Sequence, residues 1–136
     1  MAVYRNLEPR IRVQLTRIEV VIARLRVYAS RFKELENRAL ARARNSEGTL
    51  RVIYQREAEN ARLSREILEH IASRLEALFK ILSERGIEGP TVRLMLEDVI
   101  NEISRIRIGS LSSGGPAILA TEAEAALQEL RRIGGA

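Results

Sequence analysis

From Ile11 to Ala43 the inward-facing positions return at alternating steps of four and three: Ile11, Leu15, Ile18, Ile22, Leu25, Ala29, Phe32, Glu36, Ala39 and Ala43. A seam of this period is made by a helix that lays one stripe against another helix, and only Glu36 interrupts it with a polar group. Pro9 suits a first helical turn, Asn6 stands just upstream as a cap, and no Gly or Pro follows before Gly48. The first helix is therefore predicted over 8–44. "NSEG" supplies a turn, with Ser46 as the expected N-cap of a second helix. That helix carries its own seam from Leu50 through Tyr54, Glu57, Ala61 and Ser64 to Leu68, Ile71, Leu75, Leu78 and Leu82, and it ends at Gly86.

Two helices of this length joined by a few turn residues fold back on each other as an antiparallel hairpin spanning 8–86. A turn centred near 45–47 places Ile22 opposite Ile71, Ile18 opposite Leu75, Leu15 opposite Leu78 and Ile11 opposite Leu82. Leu25 and Leu68 complete this expected core. The same register brings Glu36 to Arg56 and sets Ala29 against Ala61 and Ser64, where small side chains let the helices approach closely.

Beyond the hairpin, "RGIEGP" contains Gly86, Gly89 and Pro90, two flexible points and then a rigid restart, and it is expected to act as a hinge. Pro90 opens a third helix over 90–107, with Val92, Met95, Val99, Ile103 and Ile106 on one face and Gly109 as its stop. "SLSSGGPA" has the composition of a flexible linker, placed at 108–120. "TEAE" offers a capping box from Thr121 to Glu124 for a last helix within 121–136, which carries Leu127, Leu130 and Ile133 and either moves freely or docks. The fold class is all-α: a long antiparallel hairpin followed by shorter helices.

Arginine recurs every seventh residue along the first helix at Arg10, Arg17, Arg24, Arg31 and Arg38. With the seam at heptad positions a and d, these arginines fall at c. Val13, Val20 and Val27 fall at f, and Thr16, Ala23 and Ser30 at b. On an isolated hairpin such positions face water, where three valines in register contribute nothing to stability, so the strip needs another surface. Charge is distributed in the same sense. Residues 1–45 hold eleven basic and four acidic side chains, against twelve and fourteen in 46–136. An apolar strip edged by Arg10, Arg17, Arg24, Arg31 and Lys33 suits an anionic bilayer or a lateral contact with an acidic helix of another copy, such as "EDVINE" or "TEAEAALQE".

Other chemistries find little to work with. There is no cysteine, so neither a disulfide framework nor a thiolate site is available, and the expected setting is cytoplasmic. His70 is the only histidine and Asp98 the only aspartate, so no metal-ligand or acid–base constellation stands in the sequence; the chain is read as not an enzyme, with no metal and no cofactor. Nucleic acid is not an expected partner, because no aromatics interleave with the arginines and neither a Gly-rich phosphate loop nor a zinc spacing is present.

The stretch "RNSEGTLRVIYQREAENARLSREILEHIASRLEALFKILSERG", residues 44–86, has an aliphatic-Tyr start, a small-residue middle and a Leu-Glu-x-Leu close. With the basic first helix before it, it resembles the ESCRT-III superfamily, most of all the archaeal cell-division branch typified by CdvB. The likeness covers 5–107 in architecture and charge, and "ATEAEAALQEL" is similar to the distal helix of that family. The resemblance implies an ESCRT-III-like core over 8–107 that polymerises with itself and with homologous subunits into membrane-constricting filaments. It implies closed subunits with distal helices folded on the hairpin, open ones with them extended, and disassembly by an AAA+ ATPase. By that analogy the membrane-facing surface falls on Arg10, Arg17, Arg24, Arg31 and Lys33, at the inner face of the membrane and the division site. No ATPase-docking motif or winged helix is visible before Ala136, so ATPase recruitment is expected through other subunits or a further C-terminal region. The segment 1–7 offers Val3, Tyr4 and Leu7 as a short membrane-inserting piece. The other reading is a soluble helical scaffold or adaptor that binds one protein partner through the basic helix.

Overall fold

The computed structural model describes residues 8–111 and 114–135. The Asn6 cap and the segment 1–7 lie outside them. Four helices follow one another: α1 (Pro9–Arg44), α2 (Gly48–Arg85), α3 (Pro90–Ser110) and α4 (Gly115–Gly135). The all-α hairpin with shorter helices after it is what the heptad seams predict.

Pro9 sits in the first turn of α1, where its missing N–H costs no helical bond, and Glu8 holds the N-cap position without a side-chain cap. At the far end the Ser46 N–H still donates to Ala43 O at 3.2 Å, so Ser46 closes α1 instead of capping α2. Glu47 takes the N-cap of α2 in an extended conformation, and Gly48 begins the helix with φ 61°.

The hairpin register differs from the turn-centred one. Glu36 pairs with Arg65 at 3.0 Å and not with Arg56, and Arg26 pairs with Glu76 at 3.2 Å. Ala61 and Ser64 share a groove with Phe32, Leu35 and Ala39, whereas Ala29 shares one with Glu69 and Ser73. α2 is thus shifted by roughly one heptad relative to α1, which leaves a and d positions facing a and d positions throughout. Ile18, Ile22, Leu25, Leu68, Ile71 and Leu75 are all buried in one cluster, as the seams require. Near the turn the contacts are made by long side chains, with Arg42 over the Tyr54 ring and Arg51 on the Ala43 carbonyl. Ala43 and Ala58 are the buried residues nearest the turn, and none of 48–57 is buried.

α3 runs to Ser110, beyond the expected stop at Gly109, and buries Leu96 and Ile100 besides Val92, Val99 and Ile103. The expected linker over 108–120 shrinks to the residues between Ser110 and Gly115, because α4 starts ahead of Thr121. The capping box does not form: Thr121 lies inside the helix and its Oγ1 donates to Ala117 O at 3.1 Å, while Glu124 turns to Arg107. Burial of Ala117, Leu119, Ala120 and Ala123 outweighs the Gly/Ser composition that suggested a linker.

α4 docks on α1 and α3, and α3 packs on α2 through Glu102, which accepts from Arg74 Nε at 2.6 Å. The hairpin's open half thereby becomes a four-helix bundle. Its core takes α1 from Ile11 to Ala29 and α2 from Leu68 to Leu82, together with Leu96, Ile103, Leu127 and Leu130. The closed half projects as a two-helix stalk whose buried contacts are alanines: Ala39, Ala43, Ala58 and Ala61. Between bundle helices, Gly86 and Gly89 hold φ 84° and 103°, values that suit glycine, and Pro90 starts α3. A Cβ at Gly134 would lie 2.7 Å from the Ile87 carbonyl oxygen, so the end of α4 rests directly on this joint.

Candidate functional site

Val13, Val20 and Val27 remain 56%, 43% and 51% exposed on the side of α1 turned away from α2, with Thr16, Ala23 and Ser30 exposed beside them. The strip named by the heptad count is therefore open to solvent along the bundle half of the molecule. The arginine row is divided. α4 docks beside the first half of the row, where Arg17 meets Glu122, and leaves Arg24 and Arg31 without a partner carboxylate among the described residues.

Arg17 donates from Nε to Glu122 Oε1 at 2.9 Å and from Nη1 to Gln14 Oε1 at 2.7 Å. Arg10 donates to Glu8 at 2.5 Å. The Glu129 carboxyl is held below its usual range, first by its hydrogen bond from Arg132 and further by the charges of Arg132, Arg10 and Arg17. Glu122 of α4 thus neutralises Arg17, while Arg10 is neutralised by Glu8 beside it. Arg24 makes no ion pair among the described residues, and Arg31 stacks over the Tyr28 ring at 5.5 Å from its centroid. Arg12, also exposed, extends the basic character to the other edge of the strip.

Lys33 does not join this surface. It lines a groove with Arg26, Ala29, Ser30, Glu69 and Ser73 on the flank where α1 meets α2. The positions that remain together are Val13, Val20, Val27, Arg24 and Arg31. Sequence reasoning missed the role of Glu122, whose spacing from Glu129 puts two carboxylates on one face of α4; that pattern was visible, but the face it would meet was not.

His70 Nε2 lies 3.3 Å from Glu102 Oε2 on the α2–α3 interface. The Arg74 hydrogen bond, with help from His70, holds the Glu102 carboxyl below its usual range. No group of three or more metal-ligating side chains occurs among the described residues. No described helix is long and apolar enough to cross a membrane.

This chain gives no match to a family model, to a curated protein or to a solved structure.

Proposed function

We propose that the protein is a self-assembling, membrane-remodelling filament subunit of ESCRT-III-like character, acting at the inner face of a membrane in scission or cell division. The observation that carries this reading is the exposed valine strip of α1 beside two arginines that make no ion pair among the described residues. Apolar side chains on a helix surface, edged by guanidinium groups, suit partial burial in an anionic bilayer or in a lateral contact with another copy. A filament repeats such a contact at every subunit, which multiplies a small term. The arrangement described above, with α3 and α4 folded against the hairpin, is the closed form of this reading; release of α4 would add Arg17 to the basic face. Homologous subunits and an AAA+ ATPase complete the proposal as partners. The test is co-sedimentation with vesicles containing phosphatidylserine, paired with electron microscopy of the pelleted protein. Filaments or tubulated vesicles are expected; a monomeric protein that ignores vesicles leaves the single-partner adaptor as the reading.

A further inference from the structure

We infer that the tip of the hairpin stalk is a second membrane contact, in which the apolar first turns of α2 enter the headgroup region of an anionic bilayer. It stands on residues other than the α1 strip and goes beyond the proposal above. The first turns of α2 stand at the turn end of the hairpin, where none of residues 48–57 is buried, and Leu50, Val52 and Ile53 are 49%, 52% and 47% exposed there. Successive helical residues are about 100° apart, so Leu50, Val52, Ile53 and Tyr54 spread over more than half the circumference of the helix. A flat protein partner meets one face only, but a bilayer surrounds an inserted end on every side.

Two of the arginines at the tip reach across to the other helix. Arg51 Nε donates to Ala43 O at 3.1 Å, a second bond to a carbonyl that already accepts from the Ser46 N–H, and the Arg42 guanidinium lies over the Tyr54 ring at 5.9 Å. Leu50, Val52 and Ile53 remain exposed beside them. Around them residues 38–56 carry five arginines, Arg38, Arg42, Arg44, Arg51 and Arg56, against a single glutamate, Glu47. That excess attracts phosphatidylserine and opposes a tip-to-tip contact between two copies.

The test uses the full chain, which has no cysteine, so one introduced thiol gives a single label. Ile53→Cys and, separately, Val20→Cys are labelled with a polarity-sensitive fluorophore and mixed with phosphatidylcholine vesicles with and without phosphatidylserine. A blue shift at position 53 on the anionic vesicles is expected. The variant Leu50→Ser/Val52→Ser/Ile53→Ser, which loses no buried side chain, should keep its circular dichroism and float with vesicles about ten-fold less well. A shift at position 20 without one at 53 overturns the tip contact and leaves the α1 strip standing. A shift at 53 without one at 20 supports the tip and removes the strip. A shift at 53 that grows with protein concentration in the absence of lipid overturns the proposal in favour of self-association, and equal shifts on both vesicle types overturn the anionic requirement.

Discussion

The Glu36 carboxylate accepts a hydrogen bond at 3.0 Å from Nη2 of Arg65, across the hairpin. Side chains on a helix lean toward its N-terminus, so on antiparallel helices these two lean toward each other, and the pair fixes how far α2 is slid along α1. The register makes a direct prediction. In this cysteine-free chain, Ala39→Cys with Ala61→Cys, two residues that line one groove, should close a disulfide under mild oxidation. Ala39→Cys with Tyr54→Cys, which face each other in the turn-centred register, should not. Non-reducing electrophoresis decides, and a crosslink in the second variant alone would restore the turn-centred pairing.

The same pair shows what the sequence could tell. A heptad seam specifies which stripe of each helix is buried, and the stripes ending in Ile18, Ile22, Leu25, Leu68, Ile71 and Leu75 are buried accordingly. It does not specify the slide, because a shift of seven residues returns every apolar position to an apolar position. The partner of Glu36 was therefore legible only as some arginine of α2. For α4 the difficulty was of another kind. Gly114, Gly115 and Pro116 break the local helical signal, and the apolar run Ala117–Ala120 becomes helix because α1 and α3 provide a place to bury it. On the candidate surface, the valines were legible from period alone, while the loss of Arg17 to Glu122 of α4 depended on a docking that no local pattern encodes.

Division of the arginine row sets an expectation for membrane binding. An arginine near an anionic surface contributes about 1 kcal/mol, and exposed charges are screened within about 8 Å at physiological salt. Arg24→Glu with Arg31→Glu should therefore weaken binding to phosphatidylserine vesicles by well over ten-fold at low salt and flatten its salt dependence. Arg10→Glu with Arg17→Glu should weaken it less, because in the closed form those arginines already face Glu8 and Glu122. Co-sedimentation across a salt series measures both, and the reverse ranking would place the binding surface on the α4 edge.

At the joint, Gly86 and Gly89 sit at positive φ, where an alanine costs about 1–2 kcal/mol each. In a continuous helix the same changes gain about 1 kcal/mol each, and replacing Pro90 removes a penalty of about 3 kcal/mol. Gly86→Ala/Gly89→Ala/Pro90→Ala should thus shift the molecule toward one α2–α3 rod with α4 released. Light scattering is expected to report more assembly than wild type. Less assembly would mean that the extended form is not the polymerising one.

Glu102 gives the fold a sensitivity to acid. Its folded-state pKa is depressed by Arg74 and His70, so the pairing stabilises the α2–α3 interface above the unfolded carboxylate pKa and is lost as pH falls through the folded value. Denaturant midpoints should hold steady near neutral pH and fall below about pH 4, more steeply in wild type than in Glu102→Gln. Identical pH profiles for the two proteins would remove Glu102 from the account.

The valines separate a working surface from a solvated one more sharply than the arginines do, because a guanidinium in water needs no explanation. Val13, Val20 and Val27 are all exposed, so their replacement removes nothing from the core. Buried in a subunit or bilayer contact, each contributes about 1–2 kcal/mol, and a filament repeats the term at every interface. Val13→Ser/Val20→Ser/Val27→Ser should therefore leave the helical signal and the denaturant midpoint close to wild type, since helix propensities of Val and Ser are similar. Assembly and vesicle binding should fall together if one strip serves both contacts. A fall in pelleting with vesicle binding intact would assign the strip to the lateral contact and leave the lipid to Arg24, Arg31 and the stalk tip. Unchanged assembly and unchanged vesicle binding would make the outer face of α1 ordinary solvated surface, and the filament reading would then lose the observation that carries it.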